Sequence, residues 1–105
     1  MQVTSVLALF ADLEETELSG WIARGWVRPE EDEAGWEFHE IDVARVRLIR
    51  DLRHTMAVGE EAMPVVLSLL DQVYELRGTL RELLRALDTQ PELVRSTILG
   101  AVRRR

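Results

Sequence analysis

At 105 residues the chain is long enough for one modest core and no more. It has no cysteine, which excludes disulfides, thiolate metal sites and cysteine nucleophiles. The net charge of −6 is unevenly spread: residues 1–42 carry eleven acidic and two basic side chains, −9, while residues 43–105 carry eight acidic and eleven basic, +3. The acidic front half repels phosphate and attracts a basic partner. The longest mostly apolar run, Met63 to Leu70, is far too short to span a bilayer. The N-terminus lacks a basic region, and Val6 to Ala11 is too short for a signal-peptide core, so a soluble cytoplasmic protein is expected.

Ser5 to Ala11 reads as a short first helix with Leu7, Leu9 and Phe10 as its apolar contacts. Glu14 to Arg24 reads as a second, with Leu18, Trp21 and Ile22 on one face at helical spacing and Gly25 placed to end it in a left-handed conformation. Two short helices with a tight connection suggest a helix-turn-helix. Trp26–Arg28 and Trp36–Phe38 are expected to pair as a two-stranded wing around the acidic loop Glu30 to Gly35. Such a hairpin is marginal alone, so Trp26, Trp36 and Phe38 should pack it on the helices.

A third helix is predicted from about Glu40 to Met56, with Ile41, Ala44, Leu48, Ile49, Leu52 and Met56 as its buried stripe and Arg45, Arg47, Arg50 and Arg53 on its other faces. Glu40 and Asp42 suit its N-terminal dipole. Val58-Gly59 breaks it. Pro64 is tolerable only in a first turn, which places the start of the next helix near Glu61. In that helix Val66, Leu69, Val73, Leu76, Leu80, Leu83 and Leu87 alternate spacings of three and four, which is a heptad seam suited to dimerisation. Leu70 and Leu84 widen the seam, and Gly78 lies on the outward face at a cost of about 1 kcal/mol in helix propensity. A last short amphipathic helix should start at Pro91, with Val94, Ile98, Ala101 and Val102 on one side. The organisation expected is therefore 1–59 as a winged helix-turn-helix with a third helix, 60–88 as the long heptad helix and 89–105 as a short helix with an arginine-rich tail, together one structural domain.

Nothing in this pattern predicts an enzyme, a metal site or a cofactor. The two histidines, His39 and His54, lie at opposite ends of one predicted helix, roughly 22 Å apart at 1.5 Å per residue, and neither has an obvious nucleophile partner. The run Glu30-Glu31-Asp32-Glu33 lacks the alternating ligands and turn glycine of a calcium loop. Helix-turn-helix plus wing is a DNA-reading plan, yet affinity for DNA comes largely from cations on phosphate. Here the turn and second helix carry Asp12, Glu14, Glu15 and Glu17 against Arg24 alone, and the wing tip carries four acids in a row. These acids, Asp12, Glu14, Glu15, Glu17, Glu30, Glu31, Asp32 and Glu33, are the candidate partner-binding residues.

The segment Gly25-Trp-Val-Arg-Pro, the aromatic pair in Gly35-Trp-Glu-Phe and the run Ile41 to Arg53 together resemble a MerR-like winged helix-turn-helix followed by its dimer helix. The order of these motifs, with Glu14-Glu15 before Leu18 and Leu52-Arg53-His54 and Pro64 after the wing, is similar to the CbpM-like chaperone modulators, a branch of that superfamily. The resemblance covers roughly residues 5–87 and omits the tail. It implies a mainly α fold with a small two-stranded wing and a long C-terminal dimerisation helix. It also implies a homodimer that binds the J-domain of a CbpA/DnaJ-like co-chaperone and blocks its stimulation of DnaK, without catalysis or cofactor. A MerR-type DNA-binding transcriptional regulator is the alternative. In that branch an arginine is expected in the wing where Glu37 stands here.

Overall fold

The computed structural model describes residues 1–104. Helix α1 (Val3–Leu9) and helix α2 (Glu15–Ala23) are joined by a short turn. Strands β1 (Glu30–Asp32) and β2 (Gly35–Glu37) form an antiparallel hairpin, and α3 (Glu40–Arg50) runs on into a π-helical turn, Asp51–Thr55. Helix α4 (Met63–Asp88) and helix α5 (Glu92–Arg103) complete the chain. The chain divides into two compact units, Met1–Leu67 and the residues from Ser68 onward.

In the first unit, α1 and α2 each turn one apolar face inward. Val6 on α1 and Phe10 just after it are buried and Leu7 packs against the core, so of the expected Leu7, Leu9 and Phe10 only Leu9, half exposed, points away. Helix α2 buries Leu18 and Trp21 with Ile22 beside them, as its spacing predicts. It ends in a complete Schellman closure. Gly25 sits at φ +75°, its N–H donates to Ile22 O at 3.0 Å, and Trp26 N–H donates to Trp21 O at 3.0 Å. The closure turns Trp26 and Val27 into the core, where both are buried.

That inward turn displaces the wing from its expected place. Trp26–Arg28 is not a strand. The acidic run itself is, with Glu30 opposite Glu37, Glu31 opposite Trp36 and Asp32 opposite Gly35. Glu33-Ala34 is the connection. Asp32 Oδ1 accepts the Ala34 N–H at 2.9 Å, and Gly35 at φ +112° reverses the chain. Two like charges face each other at Glu30 and Glu37, an arrangement that disfavours pairing. Each has an outside partner: Glu37 Oε1 lies 2.6 Å from the N-terminal ammonium, and Glu30 Oε2 lies 3.4 Å from His39 Nε2. The ammonium's hydrogen bond holds the Glu37 carboxyl below its ordinary range.

On α3 the buried side chains are Val46, Ile49 and, in the π turn, Leu52, with Val43 and Leu48 packed against them. Of the expected stripe Leu48, Ile49 and Leu52 do face inward, whereas Ile41 and Met56 are each 66% exposed, and Ala44 is exposed as well. Asp42 accepts the His39 N–H at 2.8 Å at the N-terminus. At the other end the Met56 N–H donates to Asp51 O at 2.9 Å, the i to i−5 bond of a π turn, and Val58 N–H reaches Leu52 O at 2.8 Å. Ala57 takes the left-handed conformation there, at φ +54°, which an alanine adopts only under local strain. Arg53 Nη1 fastens the exit by donating to Val58 O at 2.7 Å.

Helix α4 begins at Met63, so Pro64 stands in its first turn, and its first turns bury Met63 and Leu67 in the core of the first unit. From Ser68 onward no described residue is buried. In that second unit the link 89–91 is closed by Thr89 Oγ1 donating to Ala86 O at 2.6 Å. Arg95 then pairs with Glu92 at 2.8 Å and with Asp88 at 3.6 Å. Pro91 is the residue just before α5, at φ −56° and ψ 150°, rather than its first helical position. No helix of the described residues is long and apolar enough to cross a membrane.

Candidate functional site

The eight candidate acids separate into two sets. Glu14 and Glu15 at the start of α2, and Glu30, Glu31, Asp32 and Glu33 along the wing, are exposed. Of these six, Glu30 and Asp32 make the contacts with His39 and the Ala34 N–H given above. Glu14 and Glu15 begin a helix whose N-terminal dipole favours carboxylates, so their position is also locally stabilising.

Asp12, also exposed, and the half-buried Glu17 differ from these in their partner. Both lie against His54, which the π turn presents to them. His54 Nδ1 is 3.1 Å from Asp12 Oδ2 and Nε2 is 2.6 Å from Glu17 Oε1. Asp12 Oδ1 also accepts from Arg50 Nε at 2.9 Å, and Arg50 Nη1 reaches Asp51 Oδ1 at 3.2 Å. The imidazole stands edge-on to Trp21, ring centres 6.3 Å apart. Glu17 and then Asp12 raise the His54 pKa, against a smaller opposing effect of burial, while the hydrogen bond from His54 leads the causes that lower the Asp12 pKa. Sequence spacing carries no sign of this cluster, since 37 to 42 residues separate the acids from the histidine.

The arginines of α3 and its π turn are likewise engaged within the chain. Arg45 Nε donates to Trp26 O at 2.9 Å, Arg50 holds Asp12, Arg53 holds Val58 O, and the Arg47 guanidinium stands 5.6 Å from the centre of the Phe10 ring. Arg24 pairs with Glu60 at 2.8 Å and lies over the Trp26 ring at 5.5 Å. These cations are drawn onto the protein's own carbonyls, carboxylates and rings rather than aligned as a free strip for phosphates. Among the described residues no group of three or more histidine, cysteine or carboxylate side chains could hold a metal ion.

The seam residues behave in two ways. Val66 is packed against the core of the first unit and Leu87 is half-buried, whereas Leu69, Val73, Leu76, Leu80 and Leu83 are exposed, Leu76 at 68%. Gly78 has open space where a methyl group would stand, so no close approach within the chain requires a glycine there.

Two short helices, a hairpin and a third helix packed on one core, followed by a long helix, define a winged helix-turn-helix regulatory protein, here with acids on its second helix and wing. The chain belongs to the MerR HTH family of regulatory proteins, whose family model matches residues 3–85. No curated protein and no solved structure is significantly similar to it. Helix α5 lies beyond the matched span.

Proposed function

We propose that the protein is an adaptor that modulates, as an inhibitor, a J-domain co-chaperone of the CbpA/DnaJ type. Its acidic face docks on the basic J-domain surface that otherwise reaches DnaK. The observation that carries this reading is the charge arrangement on the winged helix-turn-helix: Glu14, Glu15 and the wing acids are exposed, while Arg45, Arg50 and Arg53 are bonded within the chain. A face of that sign favours a cationic protein surface and opposes a phosphate backbone. The motif order from Glu14 to Leu70 supports the choice of partner, and the exposed heptad residues of α4 support a homodimer.

The test is calorimetric titration against a purified J-domain fragment at low and moderate salt. Saturable binding that weakens about tenfold as salt screens the charges is the expected result. Glu14→Lys with Glu15→Lys, or Glu30→Lys with Glu31→Lys, should weaken it further. No heat at either salt, together with retention of duplex DNA fragments, would move the protein to the transcriptional-regulator reading.

A further inference from the structure

We infer that His54 is a proton-operated latch, holding the α1–α2 turn and α2 to the π turn when its imidazole is charged and releasing one of them when it is neutral. The chemistry of the three groups carries this. Asp12 and Glu17 are both carboxylates, and an ionised carboxylate only accepts hydrogen bonds. A charged imidazolium donates from both ring nitrogens, so it satisfies the contacts at 3.1 Å and 2.6 Å together. A neutral imidazole carries one N–H and one lone pair. Whichever tautomer forms, one carboxylate then faces a lone pair, and that contact must open.

The surroundings decide which one opens. Asp12 retains Arg50, whose Nε stays 2.9 Å from Oδ1, and Arg50 is itself steadied by Asp51. Glu17 has His54 as its partner in this cluster. The single remaining proton therefore stays on Nε2, toward Glu17, and the Nδ1 contact with Asp12 is the one lost. The charged groups facing the ring are Asp12 from the turn, Glu17 from α2, Arg50 from the end of α3, and Asp51 beside Arg50. Two carboxylates touch the ring directly against one cation held at second remove, so the balance favours the proton. The ring's side chain is 24% exposed, close enough to water to exchange its proton and sheltered enough for its neighbours to set the equilibrium. The latch joins three elements of the unit that presents the acids. Its release leaves Asp12, in the α1–α2 turn that runs directly into Glu14 and Glu15, held by Arg50 alone. That last consequence for partner binding rests on the proposed function; the latch itself does not.

The experiment is an NMR titration of the imidazole carbon-bound protons in the full chain, with His39 as the second signal in the same spectrum. His54 is expected to titrate at higher pH than a free imidazole, and Glu17→Gln should move its midpoint down toward that of a free imidazole. Nitrogen shifts in the neutral form should place the proton on Nε2. Thermal unfolding gives a second readout: the parent should lose stability as pH rises through the His54 midpoint, and His54→Asn should not show that step. A His54 midpoint at or below that of a free imidazole, or one indifferent to Glu17→Gln in a variant whose circular dichroism matches the parent, overturns the latch. A latch upheld by NMR alongside pH-independent J-domain affinity would leave the latch standing and count against α2 as the partner's contact.

Discussion

The two units of this chain solve the burial problem in opposite ways. The residues up to Leu67 carry every buried side chain among the described residues, from Val6 and Phe10 on α1 to Met63 and Leu67 on α4. The residues from Ser68 onward carry none, although they are rich in leucine and valine. Both stretches place apolar side chains at helical spacing. The difference lies in what surrounds the apolar face. In the first unit three short helices and a wing converge on one centre, so each inward side chain is enclosed by several neighbours. In the second unit α4 and α5 are two helices, too few to enclose a core, and their apolar stripes remain on the surface. An apolar stripe at heptad spacing does not bury itself within the chain, while a core needs elements arriving from several directions.

The sharpest way to break this contrast is to remove a side chain from the enclosed centre. Phe38→Ala, at a site 2% exposed, should cost about 3–5 kcal/mol and lower the denaturant midpoint of the first unit correspondingly. The counterpart is Leu80→Arg on the exposed stripe. Its intrinsic cost in a lone chain should stay within about 0.5 kcal/mol. In sedimentation it should convert a homodimer to monomer, and an intact dimer would remove Leu80 from the seam.

Gly25→Ala tests how the wing is placed. At φ +75° a Cβ is strained, and the substitution should cost about 1–2 kcal/mol, read as a lower melting temperature. The pH profile comes next. A raised His54 pKa means that its contribution is fully present below the ordinary histidine pKa of about 6.5 and is lost as pH rises through the folded value. The lowered Asp12 pKa acts at the other end: its contribution is present above its ordinary value and is lost as pH falls through the folded one. Melting temperature should therefore fall on both sides of a plateau, and His54→Asn should flatten the alkaline side. Smallest is Gly78→Ala, which has room for its methyl and should stabilise α4 by up to about 1 kcal/mol in circular-dichroism melts. A loss of stability instead would reveal a close approach by a second copy at that glycine.

Much of the fold is legible in the sequence because local rules govern it. Gly25 ends α2, Pro64 opens α4, and the spacing of Leu18 and Trp21 marks the buried face of α2. The wing is half legible. Gly35-Trp-Glu forms its second strand, but the first strand is Glu30–Asp32, residues with poor strand propensity. Pairing with β2 overrides that propensity, and the Schellman closure diverts the better strand former, Trp26-Val27, into the core. The spacing of apolar residues along α3 allows two faces. Packing keeps the expected Ile49 and Leu52, adds Val46, and leaves Ile41 and Met56 exposed.

The sequence alone determined the charge asymmetry, the order of elements, the heptad seam and the absence of thiol chemistry, since these depend on composition and short-range spacing. The tertiary structure decided which charges are free. Asp12, Glu17, Arg50 and His54 look in the sequence like scattered surface residues, and the fold brings them within hydrogen-bonding distance from the α1–α2 turn, α2, α3 and the π turn. Electrostatic interaction falls with separation in space, not along the chain. Only the folded chain could divide the acids into those bonded to His54 and those left without that partner.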